Sequence, residues 1–423
     1  MTACVIESAN AARQMNAENL KPRDAAEVEQ AIQWALGNAK TLELVGHGSK
    51  RSIGRAAQWD ATLDLSALSG VTLYEPAELV LSAKAGTPLA EIEALVAANG
   101  QQLAFEPVDY GVLLGTAAGG GTIGGTLAAN LSGPRRIKAG AARDHFLGVS
   151  AVSGRGETFK SGGRVVKNVT GYDLCKLIAG SWGTLAAMTE VTVKTLPRAE
   201  TEVTVLVPGL DDKAAGKLMA AAMGSYADAS AAAHLPAAAA ARIAEVAGAG
   251  TAVTAFRLEG VAPSIAHRRG VLEKLAAPFG VPETLREAAS RALWRAIRDA
   301  APFGAAGPAG DRYVWRISTA PLSGAEIGRA LLAKARAEVM YDWAGGLIWA
   351  ALPASDDAAA GLVRAIVAAS GGHATLIRAP AAARAAIDVF TPEPAALAAL
   401  TKRVRESFDP HGVLNAGRMW AGV

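Results

Sequence analysis

The chain has 423 residues, more than one hydrophobic core usually organises, so two units are expected, one interrupted by the other. A net charge of +3 argues against nucleic acid as the main partner, and the two cysteines, Cys4 and Cys175, exclude a disulfide framework or a cysteine-based metal site, pointing to the cytosol. The opening "MTACVIESANAARQMNAENLKPRD" lacks the basic-then-apolar pattern of an export signal, and no stretch approaches the ~20 apolar residues of a membrane helix.

In chain order, residues 1–20 are polar and read as a loose lead-in. Apolar positions then recur at helical spacing through Val28, Ile32, Trp34, Ala35 and Leu36, with Gly37 at the helix end, and "TLELV" is a strand running into a glycine loop. "LVLSAKAG" reads as a strand and "TPLAEIEALVAANG" as a helix, with Thr87 as cap, Pro88 at the first helical position and Gly100 as a left-handed stop. "FLGVSAVSGRGETFKSGG" is a hairpin, "VTGYDLCKLIAG" a helix, and "LAAMTEVTVKTLP" a turn followed by a strand. After Pro197, strands such as "ETEVTVLVP", "YVWRIST" and "GGLIWAALP" alternate with alanine-rich stretches read as helices, "AAAHLPAAAAARIAEV" and "SRALWRAIRDA", an α+β pattern. The tail "LAALTKRVRESFDPHGVLNAGRMW" reads as a helix and a turn, then a segment in the style of the first part. The expected units are therefore 1–197, 198–385 and a returning segment 386–423.

Three glycine-rich segments carry the chemistry. In "VGHGSKRS", Gly46, Gly48 and Ser49 follow a strand directly, so successive N–H groups can form a nest for an anion, with Lys50 and Arg51 adding charge. His47 reads as an exposed loop residue. In "GTAAGGGTIGGTLAANLSGPRR", Gly119 to Gly124 spell GxGxxG, but "VLLGTAAGG" is a poor strand and Asp144 precedes a strand instead of ending one, which argues against a Rossmann site. A loop of Thr122, Gly124 and Gly125 wrapping an extended pyrophosphate, with "TLAAN" as a short helix facing it, fits better. In the third, Gly180, Ser181, Gly183 and Thr184 leave room for a flat ring beside a wall from Ala186 to Val193. A packing corner would account for one such segment; it strains to account for three.

"GGGTIGGTLAANLSGPRR", "ARDHFLGV", "VVKNVTGYDLCKLIAGSWGTLAAMTEVTVKTLP" and "FDPHGVLNAGRM" resemble, in order and spacing, the vanillyl-alcohol oxidase (PCMH-type) FAD-binding family. Within it they are most similar to the E-type FAD-binding subunits of glycolate oxidase. The resemblance implies an α+β fold, a PCMH-type two-lobed FAD-binding domain with an α+β cap domain. It implies FAD held by Gly46, His47, Gly48, Ser49 and Lys50, then by Gly121, Thr122, Ile123, Gly124, Gly125, Arg143 and Asp144. It adds Gly180, Ser181, Gly183, Thr184, Thr189 and Glu190 from the third segment and Asn415 and Arg418 from the tail. His47 departs from the family's usual glycine. Ser49 stands where histidyl-linked relatives carry histidine, so the resemblance implies noncovalent FAD.

Oxidising a 2-hydroxy acid requires a base for the hydroxyl proton and a cation for the carboxylate. Residues 198–385 hold no HxxxxxxH pair for a metal; they offer His373 as base, Arg316 or Arg378 as carboxylate clamp, and Trp343 beside them. One reading is a subunit that oxidises glycolate at FAD and passes electrons to a sister flavoprotein and iron–sulfur subunits, which would also tether a cytoplasmic chain to the inner membrane. A second is an FAD-holding assembly subunit whose turnover occurs on the sister. A stand-alone D-lactate-type dehydrogenase and a nucleotide-binding protein without redox function are further alternatives.

Overall fold

The computed structural model describes residues 18–164 and 171–422. The first part of the chain builds two main sheets. Glu18–Leu20, Ala61–Asp64 and Leu42–Val45 form a parallel three-stranded sheet with Ala61–Asp64 in the middle. Residues 18–20, expected in a loose lead-in, are thus a strand: pairing with 61–63 gives their backbone groups partners that a free lead-in would lack. The helix Ala25–Gly37 starts where Asp24 accepts a hydrogen bond from the Glu27 N–H at 2.9 Å, and its Val28, Ile32 and Ala35 pack against Leu42 and Leu63.

An antiparallel five-stranded sheet runs Val71–Glu75, Val80–Lys84, Ala186–Lys194, Phe146–Ser153, Thr158–Gly162, the last two forming the expected hairpin. The helices Leu89–Ala98 and Ile123–Ala128 bury Ile92, Val96, Ile123 and Leu127 against it. Two local expectations fail. Pro88, not Thr87, caps Leu89–Ala98, because the Thr87 hydroxyl is engaged by the Lys84 and Gly70 carbonyls at 2.6 and 3.2 Å. The helix expected across "VTGYDLCKLIAG" covers only Leu174–Ile178, capped by Asp173; residues 165–170 lie outside the described residues.

The later part of the chain forms one eight-stranded antiparallel sheet in the order Glu283–Arg286, Thr201–Pro208, Val253–Gly260, Ala231–Leu235, Glu338–Asp342, Leu347–Leu352, Tyr313–Ser318, His373–Arg378. The stretch "AAAHL", read as helix, is an inner strand of this sheet, and only Ala237–Ala240 after it is helical. Alanine's helix preference is worth tenths of a kcal/mol per residue. Burial on both faces outweighs it, since Ala231 and Ala233 enter one core and Ala232 another. After the helix Ala395–Phe408 the tail returns to the first sheet: the Leu42 N–H donates to the Val413 carbonyl at 2.7 Å and the Asn415 N–H to the Leu42 carbonyl at 2.9 Å. No helix among the described residues is long and apolar enough to cross a membrane.

Candidate functional site

Gly48, Gly124 and Gly183, from the three glycine segments, line a single cleft of about 700 Å³, which Asn415 and Arg418 of the tail complete. The first loop leaves the strand Leu42–Val45 and turns at Gly48, whose φ of +73° suits glycine. Among the described residues the N–H groups of His47, Gly48, Ser49 and Lys50 make no hydrogen bond to the chain, so four successive donors on residues that line the cleft are left for an anion. Arg51 does not add charge: it is bound by Glu43, with Nε 2.9 Å from a carboxylate oxygen.

The short helix expected at "TLAAN" starts earlier, at Ile123, and runs to Ala128, and its first donors are occupied. Its Ile123, Gly124 and Gly125 N–H groups are taken by the carbonyls of Thr87 and Ala85 and by the capping Thr122 hydroxyl, at 3.0, 2.9 and 3.2 Å. A Cβ on Gly124 would stand 2.8 Å from both the Cβ and the carbonyl oxygen of Ala85. The glycine is there to let the helix end touch the strand, and the helix offers its dipole more than its donors.

Positive charge comes from Lys50 and Arg418. Burial pushes the Lys50 ammonium down to about 8, opposed by Asp109 and reinforced by Arg418. Burial likewise lowers Arg418 to about 10. Arg418 donates to the Lys50 carbonyl at 2.9 Å, lies 5.6 Å from the Trp182 ring centroid, and keeps a buried Nε without a partner among the described residues. Leu44, Ala85, Trp182, Ala186 and Met188 supply an apolar ledge. Asn415 is a clamp: it accepts from the Leu44 N–H at 2.9 Å and donates to the Trp182 carbonyl at 2.7 Å.

Several residues carried by the resemblance stand off the cleft. Ile123 is fully buried in the core and Gly121 is packed on Leu89. Arg143 is exposed, and Asp144 accepts from the Ala141 N–H at 2.8 Å. The Gly180 N–H donates to Leu127, Thr184 bonds the Ser181 carbonyl at 2.7 Å, and Thr189 the Ser150 carbonyl at 3.0 Å; Glu190 pairs across the sheet with Lys84. The Ser181 hydroxyl is buried without a partner among the described residues.

The catalytic candidates divide. Arg378 is no clamp for a ligand: its guanidinium donates to the carbonyls of Leu113, Phe303, Ala309 and Arg312, which leaves it a brace between segments. Arg316 and Trp343 do meet, with the guanidinium carbon 5.0 Å from the indole centroid, and a residue that sequence reasoning missed, Arg136, lies 4.4 Å from the same ring. Neither arginine has a carboxylate within salt-bridge distance among the described residues. His373 is exposed at the start of its strand, and partial desolvation with the charges of Arg316 and Arg136 lowers its pKa. Trp343 itself is buried in left-handed backbone (φ +52°), and its Nε1–H donates to the Gly133 carbonyl, in the earlier part of the chain, at 3.0 Å. Trp182 of the cleft packs against the core that contains Trp343.

The FAD binding domain family matches residues 19–162. Over 400 residues, 93% of this chain and 96% of the relative, the sequence is 30% identical to the glycolate oxidase subunit GlcE of Escherichia coli (strain K12). Over 85 residues, 20% of this chain and 18% of the relative, it is 44% identical to the glycolate oxidase subunit GlcD of Bacillus subtilis (strain 168). The fold matches p-cresol methylhydroxylase with a TM-score of 0.71 at 11% identity, covering 95% of this chain and 88% of that one. This is the PCMH-type fold. The cleft suits FAD on its own geometry, with a nest of free N–H groups and two buried cations for the pyrophosphate and an apolar ledge for a ring. The chain belongs to the family of the glycolate oxidase subunit GlcE and is an FAD-dependent oxidoreductase.

Proposed function

We propose that the chain oxidises a small 2-hydroxy acid, glycolate foremost, and hands the electrons to partner subunits of a glycolate oxidase assembly, a sister flavoprotein and an iron–sulfur subunit. The observation that carries this reading is the pair of carboxylate-free guanidiniums, Arg136 and Arg316, on Trp343, in a core that Trp182 of the FAD cleft also touches. In this reading residues up to about 197 and the tail after 385 hold FAD, and residues 198–385 form the cap. FAD, noncovalently held, supplies the electron-pair acceptor. His47, Gly48, Ser49 and Lys50 bind its pyrophosphate through main-chain N–H groups, and Arg418 adds charge. Arg136 and Arg316 orient the substrate carboxylate, Trp343 walls the site, and an imidazole nitrogen of His373 takes the hydroxyl proton. The lowered pKa of His373 favours the neutral, accepting form.

The exposure of His373 favours a second reading, in which this chain holds FAD while turnover occurs on the sister subunit. Anaerobic mixing of the FAD-loaded chain with glycolate, and separately with D-lactate, decides between them. Bleaching of the flavin bands by the chain alone supports the first; bleaching only after the sister subunit is added supports the second. Under the first reading, Arg316→Gln raises KM about 10- to 100-fold, the loss of one charged hydrogen bond.

A further inference from the structure

A second cavity, of about 1190 Å³, lies where the segment after Pro197 passes between the two units, and it shares no lining residue with the FAD cleft. Its floor is already neutralised. Arg257, 2% exposed, reaches the two carboxylate oxygens of Glu106 at 2.8 Å each, and Arg135 reaches Glu259 at 2.6 Å and Glu106 at 3.0 Å.

Its wall is not. The helix Glu287–Arg298 turns Arg291, Arg295 and Arg298 into the cavity along one stripe, while Leu293, Trp294 and Ile297 are buried. Arg298 is paired with Asp299 at 2.8 Å, and Arg291 has only Glu287 of its own helix, at 2.7 Å. Arg295, and Arg198 on the connecting segment, have no carboxylate within salt-bridge distance among the described residues. With Glu287 and Asp299 counted beside the four lining glutamates the six arginines are balanced in number, and Arg198 and Arg295 are the two left without a carboxylate of their own among the described residues. Like charges at these helical spacings oppose the helix that carries them, and an anion would relieve the opposition.

We propose that this cavity binds a small polyanion with at least two negative charges, a phosphate ester or a polycarboxylate, gripped by Arg198 from the connecting segment and by Arg291 and Arg295 from the helix. The guanidinium fork suits phosphate and carboxylate alike. Such a ligand fastens the connecting segment to the second unit.

The test is calorimetric titration of the FAD-loaded chain with inorganic pyrophosphate and, separately, citrate at matched ionic strength; bound FAD keeps pyrophosphate from the other cleft. One saturable site per chain is expected, weakened at least about tenfold in the Arg198→Gln/Arg295→Gln variant. Binding of pyrophosphate alone assigns the site to phosphate esters, and binding of citrate alone to polycarboxylates. Should the double variant not fold, Arg198→Gln, on an exposed position, makes the same comparison. No saturable binding of either probe up to about 10 mM, or equal affinity in the variant, overturns the proposal.

Discussion

Lys50 and Arg418 lie side by side at the FAD cleft, and each is disfavoured there as a cation while the cleft holds no anion. For Lys50 the consequence falls in an accessible pH range, because burial brings its ammonium from 10.5 to about 8. The unfolded chain binds more protons than the FAD-free folded chain between those values, so FAD-free stability rises as pH increases from about 8 to 10.5. FAD binding runs the other way, because the pyrophosphate favours the charged ammonium and has less to gain once that proton is gone. Affinity measured by flavin fluorescence quenching therefore falls through the same window. Lys50→Gln flattens that pH dependence and weakens binding at pH 7 about 10- to 100-fold, the range for one charge-assisted hydrogen bond. A variant that binds FAD as tightly as the parent and keeps the same pH profile would show that Lys50 does not face the pyrophosphate.

At the scale of elements, the cleft exists because the end of the helix Ile123–Ala128 sits directly on the strand Val80–Lys84 and its continuation. Gly124→Ala places a methyl group 2.8 Å from the Ala85 carbonyl, so the helix end must move away from the strand. The expected outcome is a loss of about 1–3 kcal/mol in urea denaturation together with FAD affinity weakened at least about tenfold. Gly37→Ala, at a helical position where nothing lies within 4 Å, leaves FAD affinity unchanged and raises stability by about 0.4–1 kcal/mol. This contrast explains what was legible in the sequence. Glycines that must be bare announce a close approach, and Gly48, Gly124 and Gly183 do converge. Arg136 announced nothing, since its neighbour Trp343 lies far along the chain and only the fold brings them together. Arg378 looked like a ligand clamp because a sequence cannot tell a guanidinium aimed at solvent from one enclosed by four carbonyls. The strand Ala231–Leu235 was hidden for a related reason: alanine carries helix propensity locally, and the two-sided burial that overrides it is a property of the whole sheet.

At the scale of the whole molecule, the parts of the chain before and after Pro197 are held together by charges taken out of water. Glu106 of the earlier part grips Arg257 of the later, Arg135 of the earlier grips Glu259 of the later, and the Gly133 carbonyl receives the Trp343 indole. Such a network is costly to break from one side, because the partner is left buried and unpaired, at about 3–5 kcal/mol. Glu106→Gln nearly preserves volume and removes only the charge, so the loss it causes is electrostatic. FAD affinity stays unchanged, since Glu106 does not line the FAD cleft. The pH dependence separates this account from a simple misfit. Burial raises the Glu106 carboxyl, but Arg257 and Arg135 outweigh it and hold its pKa below 4.5. A depressed folded-state pKa contributes stability that is complete above the unfolded value and is lost as pH falls through the folded one. The stability gap between the parent chain and Glu106→Gln, followed by urea denaturation, is therefore full at pH 7 and narrows as pH falls below 4.5, where the native carboxyl also becomes neutral. Glu259 is likewise held low, at about 2, by Arg257 and Arg135 against its own burial. A gap of the same size at every pH would mean that the glutamine merely fits badly, and the two parts of the chain would then owe their contact to packing around Trp343.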